Sequence, residues 1–489
     1  MIPYDEYELV VGLEVHAQLL TESKLFCGDS AAFGAAPNTH ISPITLAHPG
    51  ALPLLNKKAV EYAIKMGLAC NCSITERNYF ARKNYFYPDL PKGYQISQHT
   101  TPICVGGHVR VHTDAGTRDI QLNRIHLEED AGKSIHDLDP DYTCVDLNRA
   151  GVPLIEIVTE PDIHSADEAY AYLTEIRKRL RYLEVCDGNM EEGSMRCDAN
   201  ISVRKKGDTK LGTKVEVKNL NSIRNVKRAI EFEAKRLIEL LENNEPILQQ
   251  TRSFDANNGT TFALRSKEEA NDYRYFADPD LTPFIVTTEM LEQIKATVPE
   301  LPEAKAHRYT QQFGLPAYDA GQLAEERETA LYFEALVQIL SEGASDPAAR
   351  IKQAANWILG PIRSALNESG ESISDFPVPP ASIAALIQLI ENGQLNFSTA
   401  SGRVLPAVIQ EPAATPLSIA EKLNLIQNSD SNVVEEWVDA VLAKMPDKVQ
   451  EYRKGKKGLI GLFVGEVKKI SAGKADPKLT NELLLKKLQ

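Results

Sequence analysis

The feature that most constrains this chain is a change of hydrophobic period near residue 295. Before it, short β-type runs such as residues 9–15, 108–112 and 154–158 are separated by Gly, Pro and Asn turns; after it, apolar residues recur at helical spacing almost throughout. Two helices interrupt the early strands. One opens at Ser165 with Glu168 three residues on, a capping-box spacing, and aligns Ala169, Tyr172, Leu173, Ile176, Leu180 and Leu183. The other covers residues 222–241, with Ile223, Val226, Ile230, Leu237 and Leu241 on one face. The first part therefore reads as α+β with a mixed or antiparallel sheet. In the second part, residues 325–342 and 381–391 are amphipathic helices, the latter stopped by Asn392-Gly393. Phe376-Pro377-Val378-Pro379-Pro380 reads as a stiff linker, and residues 410–416 as a break before a small C-terminal helical unit. The expected domains are 1–295 (α+β), 296–410 (all-α) and 411–489 (a small α-helical tail).

At 489 residues, several domains are the normal outcome, since one core serves ~100–200 residues. No run approaches the roughly 18 apolar residues that span a bilayer, and Met1-Ile2-Pro3-Tyr4-Asp5-Glu6 lacks a secretory pattern. All seven cysteines fall in the first 200 residues, and an odd, scattered set reads as reduced thiols in a cytoplasmic protein. Cys70-x-Cys72 has no second pair at zinc-finger distance. The net charge of −14 argues against a protein coated in nucleic acid, but charge is unevenly spread. Residues 441–489 hold twelve lysines and arginines against five acids, a local +7 that leaves −21 for the first 440 residues. A basic tail is a candidate phosphate-backbone contact, set against the plainer reading of a solvated helical face.

Chemistry is suggested by carboxylates lodged in apolar strands. Glu14 and His16 are two apart in Gly12-Leu13-Glu14-Val15-His16, so on a strand they share a face. Residues 124–133 carry Glu128, Glu129 and Asp130 together, and Glu156 interrupts Leu154-Ile155-Glu156-Ile157-Val158. Burying such a group costs several kcal/mol unless a cation or donors compensate. An arginine partner would account for any one of them; three intrusions on separate strands favour a divalent-metal site holding ATP phosphates, with Mg²⁺ best suited to carboxylates and Mn²⁺ or Zn²⁺ compatible with the imidazole. Residues 82–98 alternate bases with aromatics, a pattern that could grip phosphate and stack a base, or form an aromatic strand with solvated lysines. In residues 190–200, an extended backbone would put Glu192, Arg196, Asp198 and Asn200 on one face. Lys83, Arg196, Asp198 and Asn200 are the candidate ATP contacts. No P-loop, dinucleotide fingerprint or nucleophile elbow is present; residues 207–214 end Gly-Thr-Lys in the wrong order.

Residues 11–18, 82–89, 94–98, 126–133, 146–149, 153–162, 190–202, 218–222, 272–276 and 461–465, in this order, resemble the GatB family, the B subunits of tRNA-dependent amidotransferases. The resemblance spans nearly the whole chain. It implies a cradle-shaped kinase domain, a helical domain and a YqeY-like tail that touches tRNA. The implied reaction uses ATP and Mg²⁺ to phosphorylate the side-chain carboxylate of Glu or Asp mis-loaded on tRNA(Gln) or tRNA(Asn). Ammonia from an amidase A subunit, in a heterotrimer with a small C subunit, then displaces the phosphate. Carried over by position, the metal ligands are His16, Glu129 and Glu156 with catalytic Glu14 beside them. Lys83 lies near the phosphates, and Lys92 and Glu128 lie towards the ammonia path. One departure stands out. Many relatives carry a four-cysteine zinc site early in the cradle; here those positions are Cys27, Asp29, Ser42 and Thr45, so no structural zinc is expected and packing alone should hold that corner.

Overall fold

The structure, a computed structural model, describes residues 3–266, 273–342, 346–426, 431–471 and 474–488. Asp272, at the head of the 272–276 motif, lies outside the described residues. The chain forms two units, Met1–Leu301 and Pro302–Gln489.

The first unit is built on one mixed sheet. Its strands include β1 (Tyr7–Gln18), β2 (Ala81–Asn84), β3 (Tyr94–Ser97), β4 (His108–Thr113), β5 (Gly116–Glu129), β6 (Pro153–Thr159), β7 (Met195–Lys205), β8 (Val215–Leu220), β9 (Gln250–Asp255), β10 (Thr260–Ser266) and β11 (Phe276–Ala277), and the two-residue strands Ser73–Ile74 and Cys104–Val105 pair with each other, the latter also with β5. The order across the sheet is β10-β9-β8-β7-β1-β6-β5-β3-β2-β11, with β4 paired to β5. These pairs are antiparallel except β8 with β9, which run parallel. Three helices pack on the sheet and on one another: α1 (Lys57–Ala69), α2 (Ala166–Tyr182) and α3 (Ile223–Glu242), the last linking β8 to β9.

Alternation assigns the two faces. In β1, Leu13, Val15 and Ala17 are fully buried, while Gly12, Glu14, His16 and Gln18 between them are half-buried. The same rhythm places Ile155 and Ile157 inward and Glu156 outward in β6. In β7, Cys197, Ala199 and Ile201 face the core and Arg196, Asp198 and Asn200 do not; in β8, Val215 and Val217 alternate with Glu216 and Lys218. The inward set packs with Ile64 of α1, Leu173, Ile176 and Leu180 of α2, and Val226 and Ile230 of α3. Each such side chain contributes about 1.5–3 kcal/mol by leaving water. A one-residue slip of β1 would exchange Val15 for a charged neighbour, so core burial dictates where the polar residues stand.

The helix starts follow their caps. Ser165 Oγ accepts from Glu168 N–H at 3.0 Å, but the Glu168 carboxylate reaches one residue further back than a capping box, accepting from His164 N–H at 2.8 Å, and pairs with Arg118. Ser222 Oγ caps α3 by accepting from Asn225 N–H at 3.2 Å. All seven thiols are free, five of them buried.

The second unit is helical among its described residues. Phe333, Leu336 and Leu340 of the helix Arg327–Ser341 pack with Ile383, Leu386 and Ile387 of the helix Pro380–Glu391. The segment 376–380 is not a free linker. Val378 is fully buried and its carbonyl accepts from Tyr332 Oη at 2.8 Å, because the three prolines leave few N–H groups to satisfy and the valine among them can enter the core. Ile419 and Ala420, beyond the 410–416 turn, belong to this core; another, around Val434, Val438, Phe463, Val467 and Leu484, starts later. Among the described residues no helix is long and apolar enough to cross a membrane.

Candidate active site

Strand register brings the polar positions into rows. His16 of β1 lies opposite Glu156 of β6 on one side and Arg196 of β7 on the other, and Glu156 lies opposite His126 of β5. Glu128, two residues beyond His126, keeps to the same face. His16 Nε2 is 3.7 Å from both Glu128 Oε1 and Glu156 Oε2. The ligand atoms of His16, Glu128 and Glu156 all lie within 4.8 Å of one another.

Electrostatics favour the ionised form of Glu156. Burial works against ionised Glu156, yet the His126 imidazole 3.2 Å away, with His16 and Lys83, holds its carboxyl well below the usual range. Lys83 of β2 comes from the far side: burial disfavours its ammonium, but Glu128 and Glu156 prevail and its pKa is raised. Its Nζ lies 4.9 Å from the centre of the Tyr273 ring, and neighbouring Tyr275 stacks on His99 at 4.0 Å. Arg82, adjacent but on the opposite face, is tied to Asp278 at 2.9 Å and Asp280 at 2.8 Å and does not enter the site.

A second group, Glu14, Asp198 and Glu216, adjoins the first through β1. Glu14 and Asp198 are cross-strand partners. Asn200 Nδ2 donates to Glu14 Oε1 at 3.0 Å, and Lys218 Nζ bridges Asp198 at 2.6 Å and Glu216 at 3.1 Å. Burial, then Glu156 and Asp198, raise the Glu14 pKa. Here a carboxyl of raised pKa adjoins two carboxylates paired with one lysine.

Glu129, Lys92 and Glu192 stand elsewhere, and Arg196 is otherwise engaged. Glu129 is not in the His16 cluster: one residue past Glu128, it points through the sheet, where its carboxylate pairs with Lys92 Nζ at 2.5 Å and accepts from Ile96 N–H at 2.9 Å. Lys92 is thus grouped with Glu129 rather than Glu128. Beside the pair is a pocket of ≈ 20 Å³, room for one water-sized molecule, lined also by Lys24, Thr45 and Gly151. Arg196 faces the site but is committed to Asp130, donating from Nη2 at 3.0 Å while Gln18 donates to the same oxygen at 2.8 Å. Glu192 does not join the face of β7, because the strand begins only at Met195 and Asn189 caps the turn before it. His126 is the residue that sequence reasoning missed. Its signal was available, since His126 and Glu128 repeat, two apart, the pattern of Glu14 and His16.

At the Cys27 corner packing is not alone. Thr45 Oγ1 donates to Asp29 Oδ2 at 2.5 Å and lies 3.6 Å from Cys27 Sγ. Lys24, fully buried, donates to the His40 carbonyl at 2.7 Å. Hydrogen bonds join these positions.

Two carboxylates and an imidazole converging on one point fit a hard divalent cation that keeps its other positions for water and phosphate oxygens. Fold and site together define a class: an α+β catalytic domain with a carboxylate–imidazole centre on the open face of its sheet, followed by helical units. Residues 9–292 match the GatB/GatE catalytic domain and residues 332–488 the GatB domain. The chain is 52% identical over 489 residues to the B subunit of the aspartyl/glutamyl-tRNA(Asn/Gln) amidotransferase of Geotalea uraniireducens, covering 99% of each chain. It is 51% identical to the same subunit from Geobacter sulfurreducens, again over 99% of each, and 50% identical to that from Thermodesulfovibrio yellowstonii, over 99% of this chain and 100% of the relative. The chain belongs to the GatB family.

Proposed function

We propose that this chain is the B subunit of an aspartyl/glutamyl-tRNA amidotransferase and that the open face of its sheet carries the ATP-dependent step. The side-chain carboxylate of Glu or Asp on a mis-acylated tRNA attacks the γ-phosphorus of ATP. An O–P bond forms, the γ-phosphorus–oxygen bond to ADP breaks, and ADP leaves. Ammonia then attacks the acyl carbon of the acyl phosphate, phosphate departs, and the nitrogen sheds a proton as the amide forms. A carboxylate has no good leaving group and an acyl phosphate has one, which is why ATP is needed.

In this reading His16, Glu128 and Glu156 hold Mg²⁺, or Mn²⁺ in its place; bound there, the cation neutralises charge on the phosphate oxygens. Lys83 sets its ammonium against the transferring phosphoryl group, and Asp198 and Asn200 border the ATP site with Arg196 bracing Asp130 behind it. Glu14, its pKa raised, takes up the proton shed by nitrogen. Lys92 and Glu129, beside a pocket of one-molecule size, flank the path by which ammonia arrives from an amidase A subunit, with a small C subunit completing the heterotrimer. The tail domain, 411–489, meets tRNA through phosphates at its basic end, residues 441–489. The observation that carries the reading is the convergence of His16, Glu128 and Glu156 in a GatB-family chain. Glu156→Gln tests it: amidation of Glu-tRNA(Gln) or Asp-tRNA(Asn) by the assembled complex should fall at least 100-fold with tRNA binding unchanged. Normal amidation would remove Glu156 from the site.

A further inference from the structure

His126 is the second imidazole at this centre and has no role in the reaction just described. It lies opposite Glu156 in the β5–β6 ladder and is 3% exposed. Its Nε2 stands 3.2 Å from Glu156 Oε2 and 3.6 Å from Glu128 Oε2. His16 approaches the same two carboxylates from β1, at 3.7 Å to each. Two carboxylates therefore alternate with two imidazoles, but the rings are not equivalent. His16 shares a common point with Glu128 and Glu156, whereas His126 falls outside that group of mutually close ligand atoms. His126 is also sealed from solvent, and its Nδ1 is buried without a hydrogen-bond partner. An orphaned buried nitrogen is costly, so nothing at Nδ1 accounts for the ring's placement. What remains is the pair of carboxylates that Nε2 faces.

We propose that His126 is a positioning residue of the metal centre: its Nε2–H donates to Glu156, with Glu128 alongside, and holds both carboxylates with their remaining lone pairs turned to the point they share with His16. This rests on the reading that His16, Glu128 and Glu156 hold a divalent cation. Groups that orient metal ligands from behind typically govern about 10- to 100-fold in metal affinity.

The test is Mn²⁺ binding, followed as free Mn²⁺ by electron paramagnetic resonance, with no substrate present. Wild type, His126→Ala, His126→Gln, His16→Ala and Glu156→Gln are each purified in complex with the partner subunits. His126→Ala should keep one site but bind Mn²⁺ about 10- to 100-fold more weakly. His126→Gln, whose amide nitrogen can stand near the place of Nε2, should recover most of the loss, which a mere packing defect would not predict. His16→Ala should lose the site. Unchanged affinity in His126→Ala, with the site lost in His16→Ala, would overturn the positioning role and leave the metal centre intact. Complete loss in both His126 variants would make His126 a ligand instead. Unchanged affinity in His16→Ala and Glu156→Gln as well would remove the metal reading and this proposal with it.

Discussion

Burial alone would strip the proton from His126, yet Glu156 and Glu128 raise its pKa from 6.5 to about 9. A histidine raised in the folded state adds stability that is fully present below the unfolded pKa and is lost as pH rises through the folded one. In metal-free protein the thermal midpoint should therefore decline from pH 6.5 to about 9, and His126→Gln should flatten that slope. An identical slope in the variant would show that the ring is not charged in the folded protein. Much of this site was legible in the sequence at single positions: Glu14, His16 and Glu156 announced themselves as polar intrusions in apolar runs. The choice between Glu128 and Glu129 was not legible. Adjacent strand residues face opposite ways, and which one faces His16 depends on register against β6, where Glu128 lies opposite Leu154 and His126 opposite Glu156.

Local rules carried elements well where the signal was local. Ser165 caps α2 as its spacing suggested, and Ser222, where the second helix was expected to begin, caps α3. They failed where the outcome depended on distant partners: the Pro-rich 376–380 segment reads as a stiff linker, yet Val378 finds a place in a core formed by helices on either side in sequence. The Cys27 corner is a case of the second kind. Thr45, nearly buried, donates to Asp29, whose carboxyl is held below its usual range; burial opposes this and the Thr45 hydroxyl leads the groups that overcome it. A hydrogen bond to a charged group contributes about 1.5–3 kcal/mol, so Thr45→Val should destabilise the first unit by that amount in urea unfolding. Elemental analysis of the purified wild-type protein should find no tightly held zinc. One zinc per chain would show that Cys27, Asp29 and their neighbours ligate metal after all.

Charge is partitioned over the whole molecule: strongly negative through the first 440 residues, +7 in the last 49. Many tail lysines sit in short pairs with acids, among them Lys456 with Glu451, Lys469 with Glu466 and Lys487 with Asp439, but the acids are outnumbered. Phosphate contacts made there should be salt-sensitive and indifferent to sequence. Removing residues 431–489 should weaken tRNA binding and reduce the salt dependence of what remains, while Mn²⁺ affinity is unchanged. Equal tRNA affinity and salt slope in the truncated protein would place the tRNA contact elsewhere.

The central claim is that the His16–Glu128–Glu156 centre drives phosphoryl transfer to the aminoacyl side chain. Its most direct test is phosphate release from ATP and Mg²⁺ by the purified complex of this chain with its A and C partners, given Glu-tRNA(Gln) or Asp-tRNA(Asn), with wild type beside His16→Ala. The account predicts release that requires the charged tRNA and disappears in His16→Ala. Release that ignores the tRNA, or that survives the substitution, would contradict it.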